Sequence, residues 1–236
     1  MPDRSDSAPI LLVPGLNCSS RLYAAQIPAL WRLASVMVAD HRRGETMAEI
    51  ARQILAAAPS RFRLAGLSMG GYIALEIMRQ APARVAKLAL LDTSARPEAP
   101  EQTERREKLI ALAEAGRFAE VNNVLWPVLV DPSRQSDAAL RAAIDRMAEE
   151  SGAEAFIRQQ RAIIGRADSR PTLGTIKCPT LMIVGASDQL TPPAHAEEIA
   201  QGIPGAKLVT LAGCGHMSPM ERPEEVSKLL VDFLAG

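Results

Sequence analysis

Hydrophobic residues recur along the chain in short unbroken runs, most of which end at Gly, Asp or Ser. Runs of this kind are typical of strands buried on both faces, as in a parallel sheet. The runs are Ile10–Val13, Ser35–Ala39, Phe62–Leu67, Lys87–Leu91, Thr180–Val184 and Lys207–Leu211. They predict a mostly parallel sheet of about six strands.

Helical patterns separate several of these runs. The segments from Thr46 to Ala58 and from Met69 to Gln80 carry apolar residues at helical spacing, and Pro82 ends the second. Strands that alternate with helices imply an α/β sheet with right-handed crossovers and helices on its faces.

Residues 95–172 break this alternation and contain only helical patterns. The predicted helices are Glu101–Ala115, Phe118–Trp126 ending at Pro127, a helix capped by Ser136 that runs through Glu150, and Ala153–Ile164. A helical block between two strands indicates an inserted cap, or lid. The predicted organisation is therefore a core of residues 1–94 and 173–236 with a helical cap of residues 95–172.

Composition and charge narrow the functional classes. The chain has 47% hydrophobic and 23% charged residues, and its 27 basic and 27 acidic residues cancel. A neutral chain lacks the field that holds nucleic acid or an anionic membrane. No apolar stretch approaches the roughly 18 residues of a membrane helix. We therefore expect no nucleic-acid partner, no membrane partner and a small-molecule substrate, with a monomer and a homodimer both open.

The cysteines indicate neither disulfides nor a zinc site, and the known cofactor motifs are absent from the sequence. Cys18, Cys178 and Cys214 form neither a disulfide framework nor a paired zinc-ligand pattern. A reducing cytoplasm fits this usage, and the short apolar run after the polar N-terminus does not suit a signal peptide. The sequence contains no G-x-G-x-x-G after the first strand, no P-loop and no H-E-x-x-H, so we expect no cofactor and no metal.

One sequence motif indicates a catalytic residue. Residues Gly66 to Gly70 match G-x-S-x-G, with a predicted buried strand before them and an amphipathic helix after them. Glycines on both sides of a serine allow a turn so tight that the serine side chain stands clear of the strand end. Ser68 is therefore the candidate nucleophile.

A serine hydroxyl is a weak nucleophile and needs a base. Three histidines are available. His216 follows the last strand in a glycine-flanked loop that can reach the same sheet edge, and we expect it to be the base. His195 near the start of a helix is expected at the surface, and His41 is expected to be a solvated loop residue.

The base in turn needs a carboxylate that holds its tautomer. Asp188 follows a strand and completes the chain order Ser68, Asp188, His216, which is the order of this architecture. Asp92, at the end of the preceding strand, is the competing candidate, although an aspartate there also suits a turn cap.

Backbone amides at two loops are candidates for an oxyanion hole. One donor is expected from Met69 at the start of the helix, and the other from Leu16, because Gly15 allows the turn that aims this amide inward. The side-chain amide of Asn17 is an alternative donor.

Taken together, these segments resemble the α/β-hydrolase superfamily, in particular its small capped bacterial members. The resemblance rests on V-P-G-L at 13–16, G-L-S-M-G-G at 66–71, L-A-L-L-D-T at 88–93, I-x-C-P-T-L-M-I-V-G-x-x-D at 176–188 and G-C-G-H-M-x-x-x-E-x-P-E-E-V at 213–226. It implies a catalytic triad of Ser68, His216 and Asp188 with the two amide donors named above. It does not specify a substrate.

The chain departs from that family in three places. Most relatives carry His-Gly where this chain has Pro14-Gly15, and the loop from Asp40 to Gly44 matches theirs only loosely. The first strand starts too early to leave room for the N-terminal antiparallel strands of the family. The nucleophile position holds serine, unlike the dehalogenase and epoxide hydrolase branches, which the resemblance associates with aspartate.

The first functional hypothesis is a carboxylesterase or lactonase that forms an acyl-enzyme on Ser68, with a pocket lined by Asn17, Trp126, Leu190 and Met217. A second is a carbon–carbon hydrolase or lyase with the same triad, which an arginine of the cap turned into the pocket would favour. The cap arginines considered are Arg105, Arg106, Arg141, Arg146, Arg158 and Arg161. A third is a ligand receptor of the same fold with little turnover.

Overall fold

The computed structural model describes residues 8–235. Its strands are β1 (Ile10–Val13), β2 (Val36–Val38), β3 (Phe62–Leu67), β4 (Val85–Leu91), β5 (Thr180–Gly185) and β6 (Lys207–Leu211). They form one sheet in the order β2-β1-β3-β4-β5-β6 with every neighbouring pair parallel. The predicted α/β class and sheet are confirmed, while the predicted domain limits at residues 1 and 236 lie outside the described residues.

Helices follow most of the strands. In chain order they are α1 (Ile27–Leu30), α2 (Met47–Ala57), α3 (Met69–Gln80), α4 (Pro100–Glu114), α5 (Val121–Leu129), α6 (Ala138–Ser151), α7 (Ala153–Ile164), α8 (Pro193–Gly202), α9 (Ser218–Glu221) and α10 (Pro223–Leu234). The side chain of Thr46 accepts from the Glu49 N–H and caps α2, as its position before an apolar-periodic segment predicts.

Two predicted helix limits in the cap are wrong. Pro127 does not end its helix but lies inside α5, two residues before the end. Hydrogen bonds to a residue outside the helix stabilise this last turn of α5. Gln135 donates to the Pro127 carbonyl, and the Trp126 indole donates to the Gln135 carbonyl. Asp137, not Ser136, caps α6, and its carboxylate accepts from the Leu140 N–H at 2.9 Å. An ionised acceptor makes the stronger cap.

The sheet is buried on both faces because alternate strand residues enter different cores. One core places Leu11, Leu64 and Leu88 of the strands against residues of α2, α3 and α8. The other contains Ile10, Ala65 and Leu91 together with residues of α1, α10 and the cap. Period-two alternation between two apolar layers explains why the strands read as unbroken apolar runs.

Helices α4 to α7 all lie between β4 and β5, in the segment predicted as the cap. They have a small core of their own around Leu109, Val121 and Phe156. We keep the name cap for residues 95–172, while the division into two domains stays a prediction. Across the described residues, none of the helices has both the length and the apolarity that crossing a bilayer requires.

The strand register brings the candidate site residues to one edge of the sheet. Ser68 N–H donates to the Leu91 carbonyl, and Asp92 N–H donates to the Ile183 carbonyl, each at 2.9 Å. The Ala186 N–H likewise bonds the Leu211 carbonyl at 2.9 Å. The carboxyl ends of β3, β4, β5 and β6 therefore finish side by side, which is where ligands bind in sheets of this type.

Candidate active site

Ser68 occupies a strained turn between β3 and α3. Its φ is 53° and its ψ is −114°, a conformation that residues with a side chain rarely adopt. The turn is tight enough that a Cβ on Gly70 would lie 2.1 Å from the Val13 carbonyl oxygen. The Thr93 hydroxyl donates to the Ser68 carbonyl at 2.8 Å and braces the turn. The half-buried Ser68 side chain thus stands at the sheet edge, and its hydroxyl has no hydrogen-bond partner among residues 8–235.

His216 and Asp188 form a buried pair at the same edge. The distance from His216 Nδ1 to Asp188 Oδ2 is 2.8 Å, and both side chains are at most 4% exposed. Because a carboxylate only accepts, Nδ1 carries the proton and Nε2 of a neutral imidazole keeps its lone pair. Within the part of the chain that the structure describes, Nε2 has no partner.

The Asp188 carboxylate is held in place by its own turn. Oδ1 accepts from the N–H groups of Leu190 and Thr191, at 2.9 and 3.0 Å, and Oδ2 accepts from the Thr191 hydroxyl at 2.7 Å. Burial by itself would raise the pKa of Asp188, but the neighbouring imidazole and these donors outweigh it and lower the pKa. Burial opposes charge on His216 as well, yet Asp188 overcomes it and raises the pKa of His216.

The segment that carries His216 folds back from β6 toward β3. Ser218, two residues after His216, hydrogen-bonds the carboxyl group of Asp92 at the end of β4. Since β4 adjoins β3, this contact brings the His216 segment next to the strand that carries Ser68. The structure therefore gathers all three residues at one edge, joins His216 to Asp188, and leaves the Ser68 hydroxyl without a hydrogen bond to the imidazole.

The carboxyl group of Asp92 hydrogen-bonds to groups other than the His216 imidazole, so Asp92 is not the acid partner of His216 in this structure. Its Oδ1 accepts from the Gly185 N–H at 2.9 Å, its Oδ2 bonds Ser218, and the residue is fully buried. Burial, together with the negative charge of Asp188, raises the pKa of Asp92 to about 8 against the opposing effects of His216 and of the hydrogen bonds from Ser218 and Gly185. The protonated carboxyl group thus ties β5 to the start of α9 without adding a second charge beside Asp188.

This raised pKa predicts a stability that depends on pH. The Asp92 carboxyl ionises near its ordinary pKa of 3.8 in the unfolded chain but only at about 8 in the folded protein. Between these values the unfolded chain binds fewer protons, so the free energy of unfolding falls as pH rises. Asp92→Asn removes this penalty, because the amide can accept from Gly185 and donate to Ser218 without ionising.

We expect the melting temperature of Asp92→Asn, relative to the unsubstituted protein, to rise between about pH 4 and about pH 8 and to level off above, by about 2–4 °C for each kcal/mol. Thermal unfolding followed by circular dichroism measures it. Asp232→Asn is the matched control, since that side chain is exposed and pairs with Lys228. A difference for Asp92→Asn that does not change with pH would contradict the prediction.

A buried carboxylate organises the loop around His216. Glu221, 2% exposed, accepts from the N–H groups of Gly215 and Met217, each at 3.0 Å through Oε1. Its Oε2 accepts from the N–H of Asp131 in the cap at 2.7 Å. The N–H of His216 itself donates to the carbonyl of Leu129 in the cap at 3.0 Å. Glu221 therefore fixes the backbone on both sides of His216 and joins it to the cap.

The cap packs directly against the loop that carries His216. A Cβ on Gly215 would lie 2.5 Å from both the Asp131 nitrogen and the Val130 carbonyl carbon. Only glycine allows this approach. The position of the imidazole therefore depends on the cap segment from Leu129 to Asp131.

Leu16 and Met69 offer backbone donors near Ser68. A Cβ placed on Gly15 would lie 3.6 Å from Ser68 Cβ, so the loop after β1 adjoins the turn. Among the described residues, neither the Leu16 N–H nor the Met69 N–H donates to another loop, strand or side chain. Unused amides beside a candidate nucleophile are what an oxyanion hole needs.

Asn17 is hydrogen-bonded to the cap. It is 7% exposed with a φ of 60°, and its N–H donates to Gln159 Oε1 of α7 at 3.0 Å. Its side-chain Oδ1 is buried and has no partner among the described residues. The expected alternative role of its amide as an oxyanion donor stays a prediction.

The expectation for His41 is wrong. It is not a solvated loop residue but is 2% exposed, and its Nε2 lies 2.8 Å from the Gly15 carbonyl oxygen. The two loops come together because β1 and β2 are neighbours with aligned ends, which no local pattern around His41 reveals. His195, expected at the surface, is half-buried at the start of α8, and its Nδ1 has no partner among the described residues.

The predicted pocket residues other than Asn17 differ in burial and in their contacts. Met217 is 3% and Trp126 is 9% exposed, and both belong to the apolar cluster on the cap side of the sheet. The Trp126 ring lies under the Arg141 guanidinium, 5.2 Å from it. Leu190 is half-buried and is tied to Asp188 through its N–H. Their role as a pocket wall stays a prediction.

A cleft of about 290 Å³ lies beside the loop after β1. Its walls include Pro14, Cys18 and His41 from the core and Glu150 and Ser151 from the cap. Ser68, Asp188 and His216 do not line it, so this cleft borders the back of the candidate oxyanion loop rather than the reactive groups.

The cap arginines that were candidates for substrate binding either pair with carboxylates or are exposed. Arg106 pairs with Glu98 and donates to Gln160, while Arg105 is exposed. The other four, Arg141, Arg146, Arg158 and Arg161, each pair with a carboxylate. Arg166, which the sequence did not single out, is buried against Glu98 and the Tyr72 ring. Among the described residues, Arg105 is therefore the member of this set without a carboxylate partner, and it is exposed.

Sequence reasoning assigned no role to three polar residues at this site. Glu221 occurs in the motif quoted for the His216 segment, and its spacing of five residues from the histidine was an available signal. Thr191 follows Asp188 at the spacing of an Asx-type turn. Gln159 carries no sequence signal, because its partners are in the loops after β1 and β2.

Comparisons with known proteins agree with this architecture. The sequence model described as the alpha/beta hydrolase family matches residues 10–229. The chain is 29% identical over 208 residues to a 2-hydroxy-6-oxo-6-phenylhexa-2,4-dienoate hydrolase of Comamonas testosteroni, covering 85% of this chain and 72% of that protein. It is 27% identical over 262 residues to a pimeloyl-[acyl-carrier protein] methyl ester esterase of Aromatoleum aromaticum, covering 96% and 98%.

A solved structure is also similar over nearly the whole chain. The enol-lactonase of Burkholderia xenovorans superposes with a TM-score of 0.88 at 26% sequence identity, covering 98% of this chain and 93% of that one. The three relatives are named as a dienoate hydrolase, a methyl ester esterase and an enol-lactonase, so they differ in substrate.

Proposed function

Because the chain belongs to the α/β hydrolase family, we propose that it is a serine hydrolase that cleaves a small ester or lactone through an acyl-enzyme on Ser68. One observation carries the proposal. On a turn of positive φ, the Ser68 hydroxyl has no hydrogen-bond partner among the described residues and lies at the same sheet edge as the buried pair of His216 and Asp188. A nucleophile on a strained turn beside an oriented base is the arrangement of acyl transfer.

In the acylation step, His216 Nε2 takes the Ser68 proton as Oγ attacks the carbonyl carbon. Asp188 accepts from Nδ1 and stabilises the imidazolium that forms. The Leu16 and Met69 amides donate to the oxyanion of the tetrahedral intermediate, aided by the dipole of α3. His216 then protonates the leaving alcohol, or the ring oxygen of a lactone, and the acyl-enzyme remains.

In the second step, the same imidazole removes a proton from water. The hydroxide equivalent attacks the acyl carbonyl, the two amides again hold the oxyanion, and Ser68 leaves with the proton from His216. A free Nε2 is required in both steps, so the activity depends on neutral His216. No metal or cofactor takes part in these steps.

An ester or lactone is favoured over a carbon–carbon bond by the state of the cap arginines. The substrate of the Comamonas testosteroni relative carries a carboxylate by its name, and an acidic substrate needs a cationic group in the pocket. In this chain, the cap arginines considered above pair with carboxylates or are exposed. Similarity to the enol-lactonase and to the methyl ester esterase supports the same choice.

The test combines active-site labelling with a substrate panel. We expect a fluorophosphonate probe to give a single adduct on the peptide that contains Ser68, located by mass spectrometry, and steady turnover of short p-nitrophenyl esters or small lactones. Turnover of a dienoate alone would indicate the carbon–carbon hydrolase instead. Labelling without turnover of any class would indicate a receptor, and turnover with no adduct on Ser68 would refute the proposed nucleophile.

A further inference from the structure

His41 is a buried imidazole that the mechanism above does not use. Its Nε2 lies 2.8 Å from the Gly15 carbonyl oxygen. A carbonyl oxygen only accepts, so Nε2 carries a proton and donates it. Burial lowers the pKa of His41 despite this hydrogen bond, and the ring is therefore neutral, with the proton on Nε2.

The carbonyl that His41 binds belongs to the same peptide group as the Leu16 N–H. The peptide group is planar and trans, so its C=O and N–H point in opposite directions. A donor that holds the Gly15 oxygen on one side therefore directs the Leu16 N–H to the other. The Leu16 N–H is an amide that donates to no other group in residues 8–235.

The neighbouring polar groups of this loop are already engaged. The Cys18 N–H donates to the same Gly15 oxygen at 3.2 Å, and the Cys18 thiol donates to the Leu16 carbonyl at 3.3 Å. Burial raises the pKa of Cys18 to about 12, against the opposing effect of the Gly15 backbone, so the thiol keeps its proton. The Gly15 and Leu16 carbonyls are thus engaged, whereas the Leu16 N–H and the Asn17 side-chain oxygen have no partner among the described residues.

The cap also contacts this arrangement. Gln159 of α7, 1% exposed, accepts from the Asn17 N–H at 3.0 Å and donates to the His41 carbonyl at 3.4 Å. It thereby bridges the loop after β1 and the loop that carries His41. His41 is therefore hydrogen-bonded both at its backbone carbonyl and at its ring, and these two contacts fix the direction of the imidazole toward Gly15.

We propose that His41 is a positioning residue, whose imidazole orients the Gly15–Leu16 peptide so that the Leu16 N–H donates to the oxyanion formed at Ser68. The inference rests on the proposed function and deepens it. Without the imidazole, glycine at position 15 allows the peptide to rotate. Rotation would turn the carbonyl oxygen toward the developing negative charge and remove one of the two donors.

Removing one oxyanion donor outright costs about 10²–10³-fold in kcat. Because the Cys18 N–H still holds the Gly15 oxygen, we expect a smaller loss for His41→Phe, of about 10–100-fold in kcat with little change in KM. Phenylalanine keeps the ring volume and removes the donor. His41→Gln, whose side-chain amide can donate, should recover most of that loss. His195→Phe is the matched control and should retain the original kcat.

Two further measurements separate orientation from packing. A trifluoromethyl ketone that forms a tetrahedral adduct should bind His41→Phe less tightly by the same factor as the fall in kcat, whereas a non-reacting methyl ketone of the same shape should bind equally well. His41 also lines the cleft of about 290 Å³. Added imidazole should therefore enter His41→Ala and raise its kcat, but should leave His41→Phe unchanged.

Unchanged kcat and unchanged trifluoromethyl ketone affinity in His41→Phe would overturn the proposal. An equal loss in His41→Gln and His41→Phe would also overturn it, because packing alone would then explain the loss. Ser68→Ala measured in parallel separates this failure from failure of the proposed function. If Ser68→Ala is inactive while His41→Phe is normal, only the role of His41 is refuted; if Ser68→Ala is fully active, the proposed function is refuted.

Discussion

Ser68→Ala is expected to lower kcat for a short p-nitrophenyl ester by about 10⁴-fold or more, since loss of the nucleophile removes the covalent route and leaves only oxyanion stabilisation and binding. Ser68→Gly should be equally inactive. Both variants should fold, because Ala keeps the Cβ that the turn already accommodates and Gly relieves the strain of a φ of 53°.

Steady-state kinetics, thermal unfolding and fluorophosphonate labelling together check this expectation. Ser20→Ala is the matched control, since Ser20 is an exposed serine that is not part of the turn, and it should keep full activity and labelling. If either Ser68 variant retained more than about a tenth of the original kcat while folded, the acyl-enzyme mechanism would be untenable.

Glu221→Gln should produce the second largest effect. The glutamate oxygens accept from three backbone N–H groups, those of Gly215, Met217 and Asp131. The glutamine amide replaces one of these acceptors with a donor that faces other donors. An unsatisfied buried N–H costs about 1–3 kcal/mol, which corresponds to a fall in melting temperature of about 2–12 °C at this chain length.

The effect on catalysis should exceed the effect on binding. The two amides that flank His216 lose a common anchor, and a displacement of about 1 Å in a catalytic group can cost about 10²-fold. We therefore expect kcat to fall by about 10–100-fold with KM little changed, measured well below the lowered melting temperature.

Glu224→Gln is the matched control for Glu221→Gln. Glu224 is exposed in the first turn of α10 and lies three residues further along the chain. This control should match the original protein in both kcat and melting temperature. A Glu221→Gln variant that melts earlier but keeps the original kcat would restrict Glu221 to a structural role and contradict the positioning of His216.

The strands and the turn at Ser68 were predictable because their signals are local. Ile10–Val13, Phe62–Leu67 and Lys207–Leu211 are strands over the predicted residues, since parallel strands that pack between two layers are predominantly apolar. The helix that begins at Met69 also has its predicted limits. Helix limits in the cap were less predictable, because contacts from Gln135 keep Pro127 inside α5.

The site was predictable as a set of residue types but not as a set of contacts. The motif, the chain order and the glycine-flanked loop indicated Ser68, Asp188 and His216. They could not choose between Asp188 and Asp92 by geometry. That choice depends on whose carboxylate reaches His216 Nδ1, and the structure places Asp188 there at 2.8 Å while Asp92 binds Gly185 and Ser218.

The sequence by itself determined the sheet, its crossover helices and the serine on the turn between β3 and α3, because each depends on residues close together in the chain. Only the tertiary structure decided what supports that serine. His41 reaches Gly15 across 26 positions, Gln159 reaches Asn17 across 142, and Glu221 reaches Asp131 across 90. The physical reason is that buried hydrogen-bonding groups must find partners wherever the packed chain places them, and pairing between distant segments leaves no periodic pattern in either one.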